Sequence, residues 1–161
     1  MPYYILQNMR LGGITVHKVA EGYDAGDILF QKEFKLTEKD NLETYMIKAI
    51  DSISDELDNF SEKFHDWCEL AVPQQGNGVY LKAPSEDMFT VNSSDDVKTA
   101  DRVLRAVYGY ECYYKDGADK YMLIRAEAVE SDDHISCDDK ISLPLSDGYV
   151  VCEKEHILIV K

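Results

Sequence analysis

Apolar and polar positions alternate between Ile28 and Leu36. Ile28, Phe30, Phe34 and Leu36 fall on one side, and Leu29, Gln31, Glu33 and Lys35 on the other. A period of two predicts a half-buried strand near a sheet edge. The period then changes. Leu42, Tyr45, Met46, Ala49, Ile50, Ile53, Leu57, Phe60, Phe64 and Trp67 recur at three- and four-residue steps, which predicts a long helix with this stripe turned to a core. Asp40-Asn41-Leu42-Glu43 offers a capping box at its start. A break is expected near Asn59-Phe60-Ser61, because such a run is long for one globular helix. Upstream, Ile14 to Val19 is rich in β-branched residues and follows Gly12-Gly13, so it reads as another strand.

Val72-Pro73-Gln74-Gln75-Gly76-Asn77-Gly78 interrupts both periods. Proline stops a helix and glycines loosen the chain, so residues 73–78 read as a linker between segments 1–72 and 79–161. In the second segment a short strand is expected over Val79 to Lys82. Ser93-Ser94-Asp95-Asp96 offers capping hydroxyls and dipole-complementing acids for a helix carrying Val97, Ala100, Val103, Leu104 and Val107 inward. The remainder is β-rich. Tyr110 to Lys115 and Tyr121 to Val129 flank Asp116-Gly117, a hairpin signal; Lys140 to Leu145, Tyr149 to Cys152 and Ile157 to Val160 follow, with a turn at Ser131-Asp132-Asp133. The expected fold class is α/β: a partial α/β domain followed by a small, β-rich, barrel-like domain.

Charge modifies this picture. The 161 residues carry a net charge of -14, with 31 acids against 17 bases. A surface of this kind repels phosphate backbones at long range, although its first reading is solubility. Four cysteines, at 68, 112, 137 and 152, show no two-residue zinc or redox spacing and are expected to be reduced. No basic region followed by an apolar run opens the chain, and no apolar run approaches membrane-spanning length. The simplest expectation is a cytoplasmic protein with no membrane partner.

The candidate chemistry lies between the first two strands. Asp24 sits between Gly22 and Gly26, where a backbone with few side chains can approach a ligand. Spacing alone leaves two readings open: a proton-handling carboxylate, or a turn aspartate bonded to its own backbone. His17, on the preceding strand, is either a partner for a carboxylate or a satisfied structural group. His65, His134 and His156 have no metal-ligand spacing to another histidine. Asp132-Asp133 and Asp138-Asp139 lack the pattern of a calcium loop. No metal is expected.

Thr15-Val16-His17 followed by Glu21-Gly22-Tyr23-Asp24-Ala25-Gly26-Asp27-Ile28-Leu29 resembles the signature of the 10-formyltetrahydrofolate-dependent formyltransferases. That family includes methionyl-tRNA, glycinamide ribonucleotide and sugar N-formyltransferases. Pro2 to Asn8 resembles the helix ahead of the family's strand. Pro73-Gln74-Gln75, Tyr80-Leu81-Lys82 and Leu104-Arg105-Ala106 resemble the link and the C-terminal domain of the methionyl-tRNA enzymes. The resemblance implies that residues 1–72 are the later part of the catalytic domain and that 79–161 form an OB-like C-terminal domain. It implies that Asp24 holds the catalytic position with His17 in support. It also implies that the loop Ala20, Glu21, Gly22, Tyr23 and Asp24 contacts the folate co-substrate, 10-formyltetrahydrofolate.

In the family, that aspartate works with an Asn-x-His segment from an earlier strand, which supplies the oxyanion donor and the imidazole. Nothing in residues 1–11 replaces it. The chain is therefore expected to be inactive alone and to need the missing N-terminal half. A parallel sheet lacking its first strands would expose an edge, which favours homodimerisation or aggregation. The acceptor would be a primary amine, on methionyl-tRNA or on a small molecule such as an amino-sugar nucleotide. A non-catalytic remnant serving as a binding or dimerisation module is the alternative.

Overall fold

The computed structural model describes residues 2–76, 81–131 and 138–160. It divides into two compact units that interleave along the chain. The smaller comprises Arg10–Thr37 and Thr44–Lys82; the larger comprises Met1–Met9, Glu38–Glu43 and Ala83–Lys161.

In the smaller unit, β1 (Leu11–His17) and β2 (Ile28–Lys35) pair antiparallel, from Leu11 opposite Lys35 to Val16 opposite Phe30. They form a two-stranded sheet, not the parallel arrangement expected for this part of the chain. A bulge between Val16 and His17 shifts the register, so His17 faces Ile28. Helices α2 (Leu42–Asp58) and α3 (Phe60–Glu69) follow, separated at Asn59 where a break is predicted. Aromatic contacts join helices to strands. The Phe34 and Tyr45 rings meet edge-on at 5.1 Å, and Phe30 lies 4.7 Å from Trp67. Gly12 makes room for this packing, since a Cβ there would fall 2.5 Å from the Phe34 ring.

The helical stripe does not all turn inward. Tyr45 and Ala49 are buried, but Met46, Ile50, Leu57, Phe60 and Phe64 are exposed. Only one edge of the expected stripe meets the two strands, because a two-stranded sheet is too narrow to cover it.

Lys32, on the same side of β2 as Phe30 and Phe34, reaches α2 instead of the apolar core. Its Nζ lies 2.6 Å from Glu56 Oε1, and Lys63 Nζ lies 2.9 Å from Oε2. Hydrogen bonds from these two ammonium groups push the Glu56 carboxyl down from 4.5 to about 2. A carboxyl lowered by folding stabilises the folded state above its unfolded value and loses that contribution as pH falls. Urea unfolding should therefore show stability declining between about pH 4.5 and about pH 2 in the parent protein. Glu56→Gln should flatten that limb, and an unchanged acid limb would contradict the assignment.

In the larger unit, α1 (Pro2–Leu6) buries Ile5. Strand β3 (Thr90–Asn92), which no sequence pattern announces, runs parallel to β4 (Cys112–Asp116). Parallel neighbours need a crossover, and α4 (Val97–Ala106) supplies it. The order β3-β4-β5-β9 is completed by β5 (Asp119–Leu123) and β9 (Ile157–Val160). Gly117, at φ 58°, closes the β4–β5 hairpin. A second sheet, β6-β8-β7, comprises β6 (Glu127–Val129), β7 (Lys140–Pro144) and β8 (Tyr149–Glu153).

The strand expected from Tyr121 to Val129 is thus two strands in different sheets. The chain changes direction at Arg125, whose φ is 59°. Val91, Leu104, Tyr114, Leu123 and Val150 form the centre of the core, and Tyr114 donates a 2.5 Å hydrogen bond to the Pro144 carbonyl, linking the sheets. Among the described residues these sheets do not close into a barrel. Residues 79 and 80 of the strand expected over Val79 to Lys82, and the acidic turn at 132 and 133, lie outside the described residues.

The α4 cap differs from the serine reading. Asp96 Oδ1 accepts from the Thr99 amide at 2.6 Å, and Asp147 Oδ1 accepts from the Val97 amide at 2.7 Å. Ser93 instead donates to Asp116. A carboxylate near unsatisfied helix amides also complements the dipole, so it displaces a hydroxyl here. Cys68, Cys112 and Cys152 are free thiols. Burial pushes the Cys112 thiol up to about 12. No helix among the described residues is long and apolar enough to cross a membrane.

Candidate active-site loop

The loop from Lys18 to Asp27 is closed at its base by backbone contact. The Lys18 amide donates to the Asp27 carbonyl at 2.9 Å. Gly26 is buried against Lys18: a Cβ at position 26 would fall 1.7 Å from the Lys18 carbonyl oxygen. Only glycine fits so close an approach. Lys18 Nζ donates to the Cys68 carbonyl at 3.0 Å and lies 3.7 Å from Asp27 Oδ2. Ile28 and Val72 exchange backbone hydrogen bonds, so the segment after α3 is fastened beside the start of β2.

Asp24 stands at the exposed tip. Its φ is 49°, in the left-handed region that aspartate tolerates better than most residues. Its side chain is 96% exposed, and Oδ1 lies 3.6 Å from His17 Nε2. The bulge after Val16 re-aims His17 toward this loop. The imidazole Nδ1 lies 2.9 Å from the Lys18 carbonyl oxygen, which accepts a hydrogen bond when Nδ1 carries the hydrogen. That bond leaves Nε2 facing the carboxylate. The two sequence-singled residues are therefore brought together, and the pair attracts when the ring carries both protons. Ala20, Glu21, Gly22 and Tyr23 are exposed along the same loop.

Gln74 completes the arrangement. Its Nε2 donates to the Asp24 carbonyl at 2.8 Å and to the Gly26 carbonyl at 2.7 Å. One amide group thereby fixes the backbone on both sides of Ala25. The linker reading of residues 73–78 gave Gln74 no such task. The only hint was a glutamine directly after the helix-breaking Pro73.

Other clusters lie in the larger unit. A cavity of about 800 Å³ is lined by Lys98, Arg102 and Arg105 of α4 together with Glu38, Asp101 and Glu130. Arg105 is held by Asp101 at 2.7 Å and donates to the Asp40 carbonyl at 2.8 Å. Glu153, Glu155 and His156 bring ligand-type atoms within 4.8 Å of one another, a proximity that histidine spacing alone did not reveal.

Residues 5–56 match the family model described as formyl transferase. Over those residues the chain is similar to formyl transferases. The matched segment includes β1, the Asp24 loop, β2 and most of α2. Methionyl-tRNA formyltransferase of Ehrlichia ruminantium (strain Welgevonden) is 27% identical over 164 residues, covering 98% of this chain and 50% of that protein. The chain spans about half the length of that relative. HypX from Aquifex aeolicus, solved in complex with tetrahydrofolic acid, has a similar fold at a TM-score of 0.76 and 20% identity, covering 95% of this chain and 29% of HypX. The N-formyltransferase of Helicobacter canadensis, solved with folinic acid and dTDP-3-aminofucose, gives 0.56 at 14% identity, covering 93% and 58%.

Proposed function

We propose that this chain is the later part of a formyltransferase that moves a formyl group from 10-formyltetrahydrofolate to a primary amine. The observation that carries the reading is the exposed Asp24 carboxylate beside His17, at the tip of a loop fixed from both sides within the matched segment. In this reading residues 1–72 are the later part of a catalytic domain, 73–78 its link and 79–161 the counterpart of the family's OB-like C-terminal domain. The protein works in the cytoplasm.

The amine nitrogen attacks the formyl carbon and a tetrahedral oxyanion forms. The carbon–N10 bond then breaks, leaving tetrahydrofolate once N10 takes a proton. Asp24, oriented by His17, receives or relays the proton that the amine must lose. The loop from Ala20 to Tyr23 offers exposed backbone and the Tyr23 ring to the folate. The oxyanion donor and a second imidazole come from a segment these residues do not contain, so the chain alone is inactive. Asp24 and His17 need no metal for this step.

Two acceptor classes have support. Methionyl-tRNA is the acceptor in the name of the curated relative. A small amine is favoured by the pairing of the bases. Lys115 and Lys120 face Glu86, Arg105 faces Asp101, and the α4 cavity carries acids as well as bases. Fewer cations are then left for a phosphate backbone. The test is formyl transfer by the protein completed with an Asn-x-His-bearing segment. Labelled 10-formyltetrahydrofolate would be supplied with methionyl-tRNA in one arm and an amino-sugar nucleotide in the other. Transfer to either supports the reading and selects the class. No transfer to either, with folate binding also absent, favours the non-catalytic binding module.

A further inference from the structure

Asp24 stands at the tip of its loop with a φ of 49°. That region costs any residue with a Cβ conformational energy, so an unsupported loop relaxes toward negative φ and carries the carboxylate away. Holding it there takes contacts from elsewhere in the chain. Backbone pairing of Lys18 with Asp27 secures the base of the loop. The tip is secured by Gln74.

The Gln74 side-chain amide has two N–H bonds, and two carbonyls receive them, that of Asp24 at 2.8 Å and that of Gly26 at 2.7 Å. Two acceptors decide which way the amide faces, because its own oxygen turned toward them would meet their lone pairs. The position therefore requires a pair of donors at the reach of a glutamine. Glutamate has the shape without the donors, and asparagine is one methylene short. Gln74 is itself placed by the backbone pair that Ile28 makes with Val72, two residues before it, and by the fixed φ of the intervening Pro73. Both bonds go to main-chain oxygens. They fix the path of the backbone and leave the Asp24 carboxylate facing His17 at 3.6 Å.

We infer that Gln74 is a positioning residue for the Asp24–His17 pair, acting through the backbone of the loop and not by touching the pair itself. Its bearing on turnover rests on the proposed formyl transfer. The same contact makes the geometry of the site depend on the course of the chain after α3, through one side chain some fifty positions from the acid.

Two measurements test it. The first uses the chain as it stands. In isotope-labelled protein, nuclear Overhauser contacts between the His17 ring and the Asp24 β-protons report the pair. Gln74→Ala and the isosteric Gln74→Glu should each abolish them, and Gln75→Ala, at the exposed neighbouring position, should not. Circular dichroism and thermal unfolding should match the parent, since Gln74 is exposed and contributes no core packing. Contacts that persist in both Gln74 variants would overturn the inference, and Gln74→Glu keeps the test open if the alanine variant unfolds.

The second measurement is a double-mutant cycle in the protein completed with an Asn-x-His-bearing segment. Gln74→Ala should lower kcat by about a hundredfold, the size of effect that misplacing a reacting group by an ångström produces. In an Asp24→Asn background the same substitution should cost less than about twofold, because no positioned carboxylate is left to misplace. Equal losses in both backgrounds, or lost contacts with unchanged kcat, would remove Gln74 from this role. The two readings fail separately. A completed parent that transfers no formyl group removes the catalytic reading and leaves the clamp to be judged by the His17–Asp24 contacts. A parent that transfers formyl with contacts and kcat indifferent to Gln74 does the reverse.

Discussion

Gly26→Ala is expected to be the most damaging single substitution in the smaller unit. The new methyl would sit 1.7 Å from the Lys18 carbonyl oxygen and 2.6 Å from its carbonyl carbon. Both are backbone atoms, so no side chain can rotate away. The strands must separate at the base of the loop, and the Lys18–Asp27 hydrogen bond is lost with the closure. Overpacking against rigid backbone costs about 3 kcal/mol. For a unit of this size that corresponds to a fall in Tm of roughly 10–20 °C. Urea and thermal unfolding measure the effect directly. A Gly26→Ala protein within a degree of the parent would show that the loop does not close as described.

The second large effect concerns chemistry. If the proposed function holds, Asp24→Asn, in the protein completed with an Asn-x-His-bearing segment, should lower kcat roughly a thousandfold, within the usual range for losing a positioned acid–base group. The fold should survive, because asparagine accepts the φ of 49° at least as well as aspartate. The side chain is 96% exposed, so the change removes no core packing. The backbone carbonyl that accepts from Gln74 is retained. The substitution therefore removes charge and proton affinity at one atom and little else. KM for folate should move far less than kcat. Unchanged turnover, with unchanged unfolding, would remove Asp24 from the reaction.

These two residues are neighbours in sequence, yet they were legible to different degrees. A glycine two residues from an acid, between a β-branched run and an alternating run, suffices to predict a loop and to make Asp24 a candidate. It does not tell a proton-handling carboxylate from a turn aspartate bonded to its own backbone. The difference lies in where the side chain points, and a one-residue bulge after Val16 brings His17 to face it. Bulges have no reliable local signature, because they are settled by the register of the opposite strand. Gln74 was harder still. Its two hydrogen bonds span 50 and 48 positions, and a residue in a Pro/Gly-rich stretch reads as linker from composition alone.

The long helix shows the same division. Its existence, its break at Asn59 and its apolar stripe follow from side chains spaced by three and four. The assumption that the whole stripe meets this chain's own core does not. Periodicity reports that a face is apolar and is silent about what covers it. In the larger unit, β3 is too short to carry a period, and the split between β5 and β6 depends on a single left-handed residue, Arg125.

By itself the sequence determined what adjacent residues can decide: helix against strand, where the chain must turn, and a motif around Asp24 that resembles a formyltransferase signature. The tertiary structure decided which distant groups meet: His17 with Asp24, Gln74 with the backbone around Ala25, and Asp147 with the α4 amides. The physical reason is range. Side-chain spacing encodes the local period of the backbone, whereas a contact across fifty residues depends on how every intervening turn closes.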